Sequence, residues 1–312
     1  MQIDCELSQC ITLCALTAIG VIVGTIILDI IIYFAYSYFI VRRYYSSDLA
    51  RLRDKSLARY GYYPPGSTGA DWREIFPPVD ENTKDVVFKS ISVNDNWVWG
   101  ISENNDIYVC KKPCDGSTEE AFWHTVPGNL QQISVNNNAV WGIMNTRVFR
   151  MGTTTDKGQW AKTPARLTQV AIGSTGWVSG VGLETIVWEC FPRGGCWEKW
   201  YKQQARNSVQ VAVGQEYIWS RSANGTISYK LYTANGPWKQ IETPAQMKYI
   251  TAGLTDNLFG IAEDGTLYMK PKITSPWIAV KNAPKLKIIS VNKEIYGVSV
   301  DGGIWEGTIP KQ

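Results

Sequence analysis

One short pattern recurs six times through most of this chain, at a spacing of about forty residues. A unit that short cannot bury its own apolar face, so its copies must stack on one another, and this repetition restricts the fold more than composition does. Each copy opens on a β-branched strand: Ile91-Ser92-Val93, Ile133-Ser134-Val135, Val170-Ala171-Ile172, Val211-Ala212-Val213, Ile250-Thr251-Ala252 and Ile289-Ser290-Val291. A second strand carries an aromatic–small–aliphatic triplet at Trp99-Gly100-Ile101, Trp141-Gly142-Ile143, Phe259-Gly260-Ile261 and Tyr296-Gly297-Val298, with weaker versions at Ser179-Gly180-Val181 and Trp219-Ser220-Arg221. Pairs such as Asn224-Gly225 and Asp264-Gly265 then supply the positive φ of a tight hairpin. A third strand reads Ile107-Tyr108, Val148-Phe149, Val187-Trp188, Leu267-Tyr268 or Ile304-Trp305, and a fourth begins at Trp123, Trp160, Trp197, Trp238 or Trp277.

Five fourth strands serve six copies. The segment Asp71-Trp72-Arg73-Glu74-Ile75 has the form of Trp238-Lys239-Gln240-Ile241 and is expected to be the missing outer strand of the last copy. The predicted fold is therefore all-β: a six-bladed β-propeller over residues 71–312, whose N-terminal strand closes the last blade and the ring. The pattern assigns eleven of the 14 Trp to strand positions that fill the wedge between blades, and Trp200 reads as core. Trp97 and Trp177 share one position, two residues before the triplet aromatic, where other copies have Ala139, Tyr217, Asn257 and Glu294. A position that accepts Ala and Glu is not demanded by the fold, so both are binding candidates. Trp177 also reads as compensation for the aromatic missing at Ser179.

Before the repeats, residues 1–10 form a tail and residues 11–41 carry Asp29 as their one charge. That run is long enough to cross a bilayer, and its acidic start does not resemble a cleaved signal peptide. A single transmembrane helix at 11–41 is expected, followed at 42–70 by a juxtamembrane helix and a linker containing Pro64-Pro65-Gly66. Gly20 and Gly24 lie on one helix face at a spacing that permits close helix association, hence a homo-oligomer. Asp29 would face a partner helix or lie near a headgroup region.

The chemistry is sparse. His124 is the one His and has no ligand at metal-binding spacing. There is no G-x-S-x-G, no H-E-x-x-H and no phosphate-binding glycine loop, and Glu119-Glu120 reads as solvated. The chain is expected to be no enzyme and to hold no cofactor or metal. A net charge of +3 without a Lys/Arg cluster in the propeller gives no track for nucleic acid. Asn94, Asp95 and Asn96 beside Trp97, and Asn136, Asn137 and Asn138, offer the planar amides that sugars require. Asn is equally at home in tight turns. The candidate ligand residues are Asn94, Asn96, Trp97, Asn136, Asn138 and Trp177.

Two local cysteine pairs, Cys110 with Cys114 and Cys190 with Cys196, occupy the same link between third and fourth strands. As disulfide staples they place the propeller outside the cell or in a lumen. The cations Arg42, Arg43, Arg51, Arg53 and Lys55 after the apolar run favour the cytosolic side instead.

Val98-Trp99-Gly100-Ile101, then Ile107-Tyr108-Val109, then Trp-x-x-Val-Pro-Gly-x-Leu-x-x-Ile-Ser-Val from Trp123 to Val135, resembles the tectonin repeat of tectonins and fish-egg lectins. The resemblance runs from about Asp71 to the end. It implies a six-bladed propeller that recognises carbohydrate, bacterial surface polysaccharide included. The expected function is a membrane-anchored, multivalent lectin-like protein whose partners are glycans. The alternative is a non-enzymatic protein-binding scaffold in a membrane complex.

Overall fold

Every buried backbone amide needs a partner, and the apolar runs among the described residues find theirs in the runs beside them. The computed structural model describes residues 72–79, 84–152, 158–190, 199–203, 205, 207–232 and 236–310, all within the unit Thr68–Gln312. Apart from one 3₁₀ turn at Glu119–Ala121, the described elements are strands. The first is β1 (Trp72–Ile75). β2 (Phe88–Val93), β3 (Trp97–Ser102), β4 (Asp106–Lys111) and β5 (His124–Asn129) form one antiparallel sheet in chain order. β6 (Gln132–Val135), β7 (Val140–Met144), β8 (Arg147–Met151), β9 (Ala161–Ile172), β10 (Val178–Gly182), β11 (Val187–Cys190) and β12 (Tyr201–Lys202) form a second. β13 (Ser208–Val213), β14 (Tyr217–Ser222), β15 (Ile227–Leu231) and β16 (Lys239–Ile241) make the third, and β17 (Met247–Ala252), β18 (Leu258–Ala262), β19 (Leu267–Lys270) and β20 (Ile278–Ala279) the fourth. In the last sheet, β21 (Leu286–Val291), β22 (Glu294–Ser299) and β23 (Ile304–Thr308) take β1 as their outer strand, with Trp72 opposite Gly307 and Ile75 opposite Ile304.

The sequence predicts six separate four-stranded blades; the hydrogen bonding gives four such blades and one seven-stranded sheet. The cause is β9. Its first half pairs with β8 and its second half with β10, so one unbroken strand of 12 residues serves both neighbours. Other connections are bent by residues of positive φ, such as Gly128 and Asn207, but β9 contains none. The expected single-pass membrane placement is corrected as well: among the described residues no helix is long and apolar enough to cross a membrane. The expected span at 11–41 with Gly20, Gly24 and Asp29, and the helix and linker at 42–70, lie outside the described residues.

The inner strands follow one another in a closed circle: β2 packs on β6, β6 on β9, β9 on β13, β13 on β17, β17 on β21 and β21 on β2. Side chains tie many of these neighbours together. Ser92 Oγ accepts from Val135 N at 2.9 Å, and Ser290 Oγ accepts from Val93 N at 3.1 Å. Gln169 exchanges two bonds with the backbone of Val211, and Gln210 does the same with Ile250. These contacts satisfy polar groups that face the axis, where stacked sheets make no ladder of their own.

The small residue of each triplet has a steric cause. A Cβ on Gly100 would lie 2.3 Å from the Phe88 ring, and one on Gly142 would lie 2.4 Å from Leu130. A residue at the approach to or within the inner strand, such as Phe88, Leu130 or Leu167, crosses over its neighbour's backbone at this point. In the third sheet the crossing residue is the small Ser208, and Ser220 takes the glycine's place with the two hydroxyls 2.7 Å apart.

Candidate functional site

In an antiparallel sheet the first–second and third–fourth connections lie at the same end. The Asn-rich turns, the cysteine link and the loop after β15 therefore share one face of the ring. Asn94 is buried on that face. Its Oδ1 accepts from Asn96 N and Trp97 N at 2.9 and 2.8 Å, and its Nδ2 donates to Asn136 O at 3.1 Å. Asn136 repeats the arrangement, accepting from Asn138 N and Ala139 N and donating to Gly173 O at 2.9 Å. Both amides are spent on closing a turn and holding the next inner strand. Asn96 and Asn138 are exposed beside them. Trp97 is half-buried and packs on the core around Trp99 and Val140.

Trp177 is placed differently. It stacks on Tyr232, with ring centroids 4.2 Å apart and planes at 28°. Tyr232 follows β15, its N–H donates to Glu216 O at 3.1 Å, and its hydroxyl donates to Gln215 O. The hydroxyl of Thr175 lies 3.4 Å from that of Tyr232, and Thr175, Gln215 and Glu216 are exposed around the pair. The same slot recurs between the last sheet and the first. There Lys112 follows β4, donates its N–H to Asn96 O at 2.8 Å, and sets its Nζ 2.8 Å from the carboxylate of Glu294. Glu294 occupies the position of Trp177. One slot is thus closed by an ion pair and the other by stacked rings, so ring packing does not dictate the aromatic pair. Sequence reasoning singled out Trp177 and missed Tyr232, whose alignment with Lys112 was the available signal.

Beneath the aromatic pair, Ser179 stands where all five other copies have a buried Trp, Phe or Tyr. The space holds ions instead. Glu189, the register partner of Ser179, is fully buried, and Lys230 Nζ lies 3.5 Å from its Oε1 while donating to Gln203 Oε1 at 2.7 Å. Burial pushes the Glu189 carboxyl up from 4.5 to about 7, against the opposing charge of Lys230. Trp177 precedes Ser179 by two residues and Tyr232 follows Lys230 by two, so each ring lies two residues along the chain from the ion pair or its register partner.

Other features serve structure. The axial channel has a volume of about 70 Å³, well below the roughly 300 Å³ of a small-molecule pocket. Cys110 and Cys114 are joined with Cα atoms 5.6 Å apart, and the loop they close delivers Lys112 to Glu294 and Pro113 O to Arg73 Nη2 at 2.8 Å. Cys190 is buried and disulfide-bonded; Cys196 lies outside the described residues. His124 Nε2 is 2.9 Å from Glu119 O, and Glu120 pairs with Lys111. Among the described residues no group of three His, Cys, Asp or Glu could hold a metal ion.

A family model for the Tectonin domain matches residues 79–196, which span the first three copies, and the sheets around it complete the ring. Residues 79–196 are a Tectonin domain within a β-propeller arrangement. No curated protein matches the chain significantly. Among solved structures, the tectonin propeller is similar to the β-propeller domain of Cps50 (Swd1) from Myceliophteria thermophila, at 7% identity and a TM-score of 0.52, covering 74% of this chain and 86% of that one. It is also similar to YCF48 bound to a D1 peptide, at 14% identity and a TM-score of 0.50, covering 73% and 79%. Prp20p of Saccharomyces cerevisiae gives 11% identity and a TM-score of 0.49 over 75% and 79%. At such identities the likeness is one of fold.

Proposed function

We propose that this tectonin propeller is a non-enzymatic carbohydrate-binding module whose ligand rests on the Trp177–Tyr232 shelf. The observation that carries the reading is the shared slot: Glu294 and Lys112 close it with an ion pair, whereas Trp177 and Tyr232 fill it with stacked rings. The apolar faces of pyranose rings lie on such aromatic surfaces, and Thr175, Gln215 and Glu216 at the rim suit their hydroxyls. Asn94 and Asn136 act one step back, by holding turns.

The test exchanges the shelf for the ion pair of the other slot. The full chain and its Trp177→Glu/Tyr232→Lys variant are applied to a panel of bacterial and host glycans. Wild type is expected to bind a subset, and the variant to lose that binding while keeping its circular dichroism and melting temperature. A blank panel, or unchanged binding by the folded variant, would overturn the reading. A protein-binding platform is the second reading, favoured by the propeller that holds a D1 peptide; stoichiometric co-purification of a partner by the glycan-silent chain would support it.

A further inference from the structure

Strand pairing gathers cations that lie apart in the sequence. Arg147 on β8 and Arg166 on β9 are register partners, so their Cα atoms stand about 5 Å apart and their side chains leave one face of the sheet. Lys162 stands opposite Phe149 on the same two strands. All three cations are exposed, and no carboxylate pairs with any of them among the described residues. The described residues from Ala121 to Leu183 contain no Asp or Glu at all. Like charges set directly opposite one another weaken an antiparallel pair, and here nothing described in the chain offsets them.

We propose that this β8–β9 patch of the seven-stranded sheet binds an anionic polysaccharide. Arg147 and Arg166 would each grip a sulfate or carboxylate through paired N–H donors, with Lys162 neutralising a further group and half-buried Phe149 providing apolar surface between them. Three cations suit an intermittently charged sugar chain better than duplex nucleic acid, whose binding rests on roughly six to ten phosphate contacts. The patch lies beside the Asn145–Thr146 hairpin turn, at the end of the strands opposite the aromatic shelf. The inference borrows only the ligand class from the glycan reading.

Heparin is the probe, with affinity measured on the full chain across a salt series. Arg147→Gln/Arg166→Gln is expected to weaken binding at least about tenfold and to flatten the salt dependence. Lys272→Gln/Lys281→Gln removes the same charge from exposed positions elsewhere and is expected to change affinity by less than about twofold. Trp177→Glu/Tyr232→Lys is expected to leave heparin binding intact, which separates failure of this patch from failure of the shelf. No heparin binding by wild type, equal losses in the two charge-matched pairs, or tighter binding to duplex DNA than to heparin would each overturn the proposal.

Discussion

Replacing Gly100 by Ala sets a methyl group against the face of Phe88. The new Cβ would lie 2.3, 2.4 and 2.6 Å from three ring atoms, whereas carbon atoms rest at about 3.5–4.0 Å. The ring cannot swing away: Phe88 is fully buried, with Trp123 edge-on at 5.1 Å and Tyr108 at 5.8 Å. Overpacking of this kind costs about 1–3 kcal/mol, and a rigid ring held on several sides places Gly100→Ala near about 3 kcal/mol. At Gly297 the nearest atom is a Leu286 methyl at 3.0 Å, which can turn aside, so Gly297→Ala should cost about 1 kcal/mol or less. Phe88→Ala alone should cost about 3–5 kcal/mol. In that background the added methyl has room, so Gly100→Ala should cost almost nothing further and the coupling should be about 3 kcal/mol. Urea denaturation of the full chain, followed by tryptophan fluorescence, measures all four. Equal costs at Gly100 and Gly297, or a Gly100 cost that persists without the Phe88 ring, would refute the steric origin of the triplet.

Three further outcomes are expected. The raised carboxyl of Glu189 contributes stability that is complete below about pH 4.5 and is lost as pH rises through about 7, so Glu189→Gln should gain about 1–3 kcal/mol over wild type at pH 8 and little at pH 4.5, read from melts at both pH values. Asn136→Ala removes a buried amide with three bonds and should cost about 2–3 kcal/mol, whereas exposed Asn138→Ala should stay within about 0.5 kcal/mol in the same denaturation assay. Cys110→Ser/Cys114→Ser opens a short loop and should cost about 2 kcal/mol, with faster amide exchange in β1 because Arg73 loses its fixed acceptor at Pro113 O.

Strand order within each copy and the outer positions of Trp72, Trp123, Trp160, Trp238 and Trp277 were legible because alternation and turn residues report directly on pairing and on the wedge between sheets. The ring's N-terminal strand could be read from Trp72 and Ile75 because their spacing repeats that of Trp238 and Ile241. The continuity of β9 was not legible. The copies read as separate sheets, and only the backbone shows that one strand passes through Thr163-Pro164-Ala165-Arg166 without a break. Asn94 and Asn136 illustrate the ambiguity of amides: composition fits a sugar site or a turn equally, and burial decides between them. Tyr232, Arg147 and Arg166 escaped notice because their significance depends on neighbours in other strands, which no local window contains.

The central functional claim is that a sugar lies on Trp177. Fluorine NMR of the full chain labelled with 5-fluorotryptophan gives one resonance for each of the 14 Trp, and the Trp177 signal is assigned by its absence in Trp177→Phe. Titration with a glycan that the chain binds is predicted to shift the Trp177 resonance while those of fully buried Trp99 and Trp219 hold still. Saturation by that glycan with the Trp177 resonance unmoved would contradict the account.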